Sequence, residues 1–265
     1  MSTKHIVITG STRGIGLGLA DAFLSRGCSV TISGRGKEAV EKTVADLKSR
    51  RDAERIFGLA CDVTIPEQLQ VLWDQSVQKF GRVDIWINNA GLSGEQGQVW
   101  ELSPEQAQIP IQTNVLGTIY GAQAAMNGML AQGFGSIYNM EGMGSDGRKH
   151  NGLAFYGTSK YAIHYFTESM ALEAKDSNVI IGALRPGMVI TDLVLDRYNG
   201  RPDEWERAKK IFNIIADRVE NVTPWLADKI LANQKNGVIL AYSSTWKLLW
   251  RFVSQPFVKR NLFDS

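Results

Sequence analysis

Tyr156 and Lys160 stand four residues apart in Y-G-T-S-K, a spacing that puts a phenol and an ammonium on one face of a helix. A free tyrosine, with a pKa near ~10, is a poor proton shuttle at neutral pH, and an adjacent cation moves it toward working pH. Such a pair can protonate an alkoxide as it forms from a carbonyl, or remove the proton in the reverse direction. The same pair on a solvated helix would do nothing, so the upstream residues carry weight. Directly after the apolar run KHIVIT comes Thr9-Gly10-Ser11-Thr12-Arg13-Gly14-Ile15-Gly16. Glycines at 10, 14 and 16 permit a tight turn and let a pyrophosphate reach a helix N-terminus, where unpaired N–H groups and the dipole favour an anion.

The second apolar run ends Ser33-Gly34-Arg35. A carboxylate there would accept hydrogen bonds from a ribose 2′-hydroxyl, and none is present. Arg13 and Arg35 instead offer two guanidinium groups suited to a 2′-phosphate, which favours NADP(H) over NAD(H); the plain alternative is two surface arginines. Asp62-Val63 closes the third run, where the Asp could bond an adenine amino group. Asn88-Asn89-Ala90-Gly91 closes the fourth with small residues that let a ribose approach the backbone. Pro186-Gly187-Met188-Val189, with Thr191, would hold a nicotinamide carboxamide after the sixth. Asn114, in a long helical stretch, could bend the helix and hold a water that connects Lys160 to solvent; a buried amide satisfied by backbone is the alternative.

These residues need a scaffold, and the chain's alternation supplies one. Short β-branched runs at 6–9, 29–33, 55–63, 84–89, 136–140, 179–186 and 238–242 are separated by amphipathic helical patterns. Near-continuous apolar strands between helices signify a parallel sheet covered on both faces, and right-handed crossovers make it doubly wound. No repeat or linker divides residues 1–265, which read as one α/β domain. An insert at 192–236 carries Trp205, Ile211, Phe212, Ile214 and Ile215, either an apolar lid over substrate or ordinary helix packing. The tail 245–265 alternates Trp246, Leu248, Leu249, Trp250, Phe252, Val253, Phe257 and Val258 with Lys247, Arg251, Lys259 and Arg260. It reads equally as an interfacial membrane helix or a surface for a partner subunit.

In order and spacing, TGSTRGIG, DV, NNAG, Asn114 in QTNVLG, YGTSK and RPGMVITD make the chain resemble the short-chain dehydrogenase/reductase family over nearly its whole length. That resemblance implies a Rossmann-like sheet of about seven strands, a nicotinamide cofactor, and dimers or tetramers built on helices 103–132 and 155–175. It also implies Tyr156 as acid and base, with Lys160 lowering its pKa and binding the nicotinamide ribose. NMEGMGSDGR, RPGMVITDLV and the basic aromatic tail resemble chlorophyll b reductases more narrowly, which implies reduction of a formyl group on a tetrapyrrole. The chain departs from the family at one point. Where a serine is expected before the tyrosine, the positions read Gly142, Met143 and Gly144, and the nearest hydroxyl is Ser145. Flanking glycines could swing Ser145 inward as an oxyanion donor worth about 3 kcal/mol, or a backbone N–H could replace it, with Glu141 orienting the substrate.

The expected activity is NADP(H)-dependent hydride transfer to or from a hydrophobic carbonyl. A generic lipid or steroid alcohol dehydrogenase is the second reading. A catalytically weak dinucleotide-binding sensor is the third, supported only by the missing serine. With 265 residues, 44% hydrophobic, a net charge of +2 and a pI near 8.5, nothing points to nucleic acid. Cys28 and Cys61 read as buried free thiols, and His5, His150 and His164 have no ligand-like spacing, so no metal is expected. Without an apolar leader or a run of about 18–20 apolar residues, the expected location is cytoplasmic, with peripheral membrane contact through the tail.

Overall fold

The computed structural model describes residues 3–198, 200–243, 245–254 and 260–263. The first strand, β1 (His5–Ile8), shows why the sheet is covered on both sides: Ile6, Val7 and Ile8 are all fully buried, so neither face of the pleat meets water. The chain continues through α1 (Gly14–Leu24), β2 (Ser29–Gly34), α2 (Lys37–Arg50), β3 (Ile56–Ala60), α3 (Pro66–Phe80) and β4 (Ile85–Asn88). Then follow α4 (Pro104–Pro110), a π-helical turn (Ile111–Leu116), α5 (Gly117–Gln132), β5 (Gly135–Met140), α6 (Ala154–Glu173) and β6 (Val179–Arg185). The last part comprises β7 (Val189–Ile190), α7 (Asp192–Leu195), α8 (Pro202–Ile215), β8 (Asp217–Arg218), α9 (Val219–Ala232), β9 (Val238–Ala241) and α10 (Thr245–Ser254).

Seven strands form one parallel sheet in the order β3-β2-β1-β4-β5-β6-β9. The order reverses between β1 and β4, and the loops leaving them meet: a Cβ on Gly10 would lie 2.7 Å from the Ala90 Cα. A crevice at such a switch point is where doubly wound sheets bind dinucleotides. One core, under α1 and α9, includes Leu19, Phe23, Ile32, Leu47 and Leu226; the other includes Leu69, Leu72, Trp86, Met129 and Ile181. Cys28 and Cys61 are buried free thiols, and burial pushes the Cys61 thiol up to about 12.

Three features differ from the sequence reading. The stretch expected as one helix over 103–132 is broken after Pro110, which has no N–H to give the ladder, and the chain makes one wider turn before α5. A two-stranded parallel ribbon, β7–β8, pairs Val189 with Asp217 and Ile190 with Arg218; two-residue strands carry no periodic signal. The insert 192–236 falls into two parts. Residues 192–215 pack as an aromatic cluster of Tyr198, Trp205 and Phe212 with Phe263 of the tail, while α9 packs on α1 as an ordinary crossover helix. Trp205 and Phe212 turn into that cluster and Ile211 faces solvent. Of the tail residues singled out, Phe257, Val258 and Lys259 lie outside the described residues, as do the side chains of Lys247 and Leu248.

Candidate active site

Both members of the tyrosine–lysine pair are buried on α6, next to the end of β5. Lys160 Nζ donates to the Met140 carbonyl at 3.0 Å and lies 5.9 Å from the centre of the Tyr156 ring. Burial lowers the ammonium from its ordinary value to about 8, against the opposing pull of Glu141. An amine that titrates there is a cation through most of the physiological range, and the nearby charge favours the phenolate form of Tyr156.

The residue that faces the phenol is Gly142, two positions past the end of β5. A Cβ there would sit 2.6 Å from Tyr156 Oη and 3.2 Å from Lys160 Cε, so any side chain would crowd the hydroxyl. Ser145 is buried and points elsewhere: its Oγ donates to Glu141 Oε2 at 3.1 Å. Its proton is therefore held by a carboxylate, and the backbone of the Gly142–Ser145 turn is fixed by Ser145 N–H donating to Gly142 O at 3.1 Å.

Asn114 lies in the π-helical turn, fully buried. Its Nδ2 donates to the Leu92 carbonyl and to Ser159 Oγ, both at 2.9 Å, while its Oδ1 accepts from Leu92 N–H at 2.9 Å. The amide thus ties the loop after β4 to α6. Ser159, which passes its own proton to the Tyr156 carbonyl at 2.7 Å, is a partner the sequence did not disclose.

At the other end of the crevice, the glycine turn has the shape an anion needs. Gly10 and Gly14 have φ of 61° and 57°, in the left-handed region, and a Cβ on Gly16 would meet Gly10 O at 2.4 Å. Arg13 caps α1, whose first residue is Gly14. Asn89 holds the turn from below, its Nδ2 donating to the carbonyls of Thr9 and Gly10 at 2.9 Å each. Ser11 is buried and its hydroxyl donates to Ile8 O, so it supports the turn from the protein side. Thr12 packs against Gly34, Ile15 against the core, and Thr191 against Gly14. Arg35 is exposed with no ion-pair partner among the described residues, whereas Arg13 lies 3.8 Å from Asp192. Asp62 Oδ1 accepts from Thr64 N–H and Oγ1, Val63 packs against Gly117, and Ala90 and Gly91 line the loop beside Gly10 and Asn114. Pro186, Gly187 and Val189 follow β6, with φ at Gly187 of 79°. Glycine cradle, helix N-terminus and exposed arginine together fit a dinucleotide.

Sequence reasoning missed the residues gathered around Glu141. Its side chain is 0% exposed and accepts from Arg185 Nε at 2.6 Å and pairs with His164 Nδ1 at 2.7 Å. His164 could have been found, being four residues beyond Lys160 on the same helix; Arg185 gave no local signal.

The short chain dehydrogenase family pattern matches residues 4–201. The chlorophyll(ide) b reductase NOL, chloroplastic, of Oryza sativa subsp. japonica is 36% identical over 88% of this chain and 68% of its own. The probable chlorophyll(ide) b reductase NYC1, chloroplastic, of Arabidopsis thaliana is 32% identical over 99% of this chain, which spans 55% of that protein's length. Among solved structures, ElxO with NADP bound superposes with a TM-score of 0.80 at 28% identity, covering 91% of this chain and 97% of that one.

Proposed function

Since the chain belongs to the short chain dehydrogenase family and is an oxidoreductase of CH–OH and C=O groups, we propose that it is an NADPH-dependent reductase of a bulky hydrophobic carbonyl, a formyl tetrapyrrole of the chlorophyll b type. The observation that carries this reading is the pair itself: Tyr156 and Lys160 are buried together on one face of α6, with Lys160 Nζ 5.9 Å from the centre of the phenol ring. The likeness to the two chlorophyll(ide) b reductases supports the tetrapyrrole. Arg35, exposed at the end of β2 with no carboxylate beside it, supports NADPH over NADH.

A nicotinamide held in this crevice would supply the hydride for the carbonyl carbon. Tyr156 Oη gives its proton to the oxygen as charge develops there. Lys160, as an ammonium, stabilises the phenolate left behind and would hydrogen-bond the nicotinamide ribose. Asn114 keeps α6 and the loop after β4 in register, so that Tyr156 is aimed rather than free. Ser145 acts one step removed, by holding Glu141 and the turn that presents Gly142. The glycines at 10, 14 and 16 and the N-terminus of α1 would seat the pyrophosphate, and Gly187 and Thr191 would hold the carboxamide.

The test is a panel of carbonyl compounds run with NADPH and with NADH, containing chlorophyll b, steroid ketones and small aldehydes. Cofactor oxidation with chlorophyll b and NADPH, well above that with NADH, is expected. Turnover confined to steroid ketones would replace the substrate, and dinucleotide binding without turnover on any member would replace the function.

The same reading includes a homo-oligomer and a lipid surface. Tyr161, Tyr165 and Leu172 are exposed along α6, an apolar row that supports pairing with a second copy. Trp246, Leu249, Trp250 and Val253 are exposed at helical spacing on α10, a helix with no acidic residue, which supports contact with an anionic bilayer surface. Among the described residues no helix is long and apolar enough to cross a membrane. Sedimentation with and without anionic liposomes, repeated on Trp246→Ser/Trp250→Ser, tests the second point: retained lipid binding removes α10 from it.

A further inference from the structure

A wholly buried carboxylate needs a reason, because an unpaired one is costly and even a paired one often adds no stability. Glu141 stands immediately after β5, its N–H donating to Leu184 O at 2.9 Å, so the strand ladder fixes its backbone. Its two oxygens meet Arg185 Nε on β6 at 2.6 Å, Ser145 Oγ at 3.1 Å and His164 Nδ1 on α6 at 2.7 Å. On α6, Tyr156, Lys160, His164 and Glu168 fall at intervals of four and so form one row along the helix. His164 Nε2 lies 3.6 Å from Glu168 Oε1, at the exposed end of that row. Lys160 Nζ bonds the carbonyl of Met140, the peptide group that leads into Glu141. The carboxylate and the ammonium are thus neighbours across one peptide, with no direct ion pair between them among the described residues.

We propose that Glu141 is a positioning residue for the reaction: it is the buried counter-charge that keeps Lys160 an ammonium, and it anchors the turn that leaves Gly142 against the phenol. This rests on the assignment of Tyr156 and Lys160 as the reacting pair. Burial alone drives Lys160 toward the neutral amine, and the field of Glu141 opposes it. In a low-dielectric interior a charge acts strongly without contact, so no direct bond is needed. Arg185 and His164 aim the carboxylate, and Arg185, paired with it at 2.6 Å, offsets part of its charge, so removing Arg185 leaves more of the Glu141 field on the lysine. The charged and titratable groups facing the cluster are Tyr156, Lys160, His164 and Glu168 from α6 and Arg185 from β6.

The experiment follows the 13Cε resonance of Lys160 with pH in lysine-labelled protein without substrate, assigned by its loss in Lys160→Met. The wild-type midpoint is expected at about 8. Glu141→Gln should lower it by about one pH unit, Glu141→Asp should restore it, and Arg185→Gln should raise it. In parallel, the alkaline limb of carbonyl reduction should move down in Glu141→Gln and return in Glu141→Asp. A purely structural Glu141 would lower turnover at every pH and leave the lysine midpoint where it was, which overturns the proposal. If Glu141→Gln is not recovered folded, Arg185→Gln decides, an unmoved midpoint again overturning it. The titration needs no substrate, so the midpoint shifts in the variants together with a wild-type protein that reduces no carbonyl would strike the proposed function and leave the role of Glu141 standing.

Discussion

Two buried carboxylates hold this molecule's functional end together, and they are built alike but anchored differently. Glu141, 0% exposed, gathers Arg185, His164 and Ser145 at the edge of the crevice. Asp217, 5% exposed, gathers Arg251 at 2.8 Å and Arg260 at 2.9 Å beneath the aromatic cluster of Trp205, Phe212 and Phe263. The partners of Glu141 come from β6 and α6, elements already fixed by the sheet and the core. The cations on Asp217 come from α10 and the residues beyond it, which are fastened chiefly to residues 205–218, among other ties by Arg260 to the Ile214 and Ala216 carbonyls at 3.0 and 2.9 Å and by Leu262 N–H to Asn213 Oδ1 at 2.9 Å. The same chemistry therefore places a charge in one region and fastens a strap in the other. It also turns Arg251 and Arg260 inward onto Asp217.

Removing each carboxylate should separate the two roles. Glu141→Ala leaves half-buried Arg185 without its carboxylate, along with His164 and Ser145, and should lower the global unfolding free energy by about 3 kcal/mol, read from denaturant midpoints. Asp217→Ala should shift that main transition by only about 1 kcal/mol, because the tail opens as a local unit; trypsin should instead cut the tail much faster. Equal shifts in the main transition would erase the distinction.

Gly142→Ala should sharpen the Glu141 side. With a methyl 2.6 Å from Tyr156 Oη, turnover should fall about 10²-fold while the protein's affinity for NADPH stays within a factor of two. Unchanged turnover would mean the phenol does not react on that face. A smaller effect is expected with pH. Lys160 titrates at about 8, so it is charged below that value and neutral above; carbonyl reduction should be flat on the acid side and decline as pH rises through 8. Ser145→Ala should cost least, about 1 kcal/mol of stability and less than a tenfold change in turnover, since its proton goes to Glu141.

The sheet was legible because its signals are local: apolar runs of strand length, glycines at 10, 14 and 16, and a tyrosine and lysine one helical turn apart. What escaped depends on contacts between distant residues. Nothing near Glu141 in the chain announces Arg185, 44 residues on, or His164, 23 residues on. Ser145 could be read as a hydroxyl near the tyrosine, but its direction is set by the carboxylate it meets. The break after Pro110 was visible as a proline, yet the π-helical turn it opens, with Asn114 inside, follows from packing against α6.

The most direct measurement is NADPH oxidation by Tyr156→Phe against wild type, with the best carbonyl substrate and with cofactor binding measured alongside. Loss of about 10³-fold in turnover with NADPH binding retained is the predicted result. Turnover within tenfold of wild type would contradict the account, because the proton would then come from a group other than this phenol.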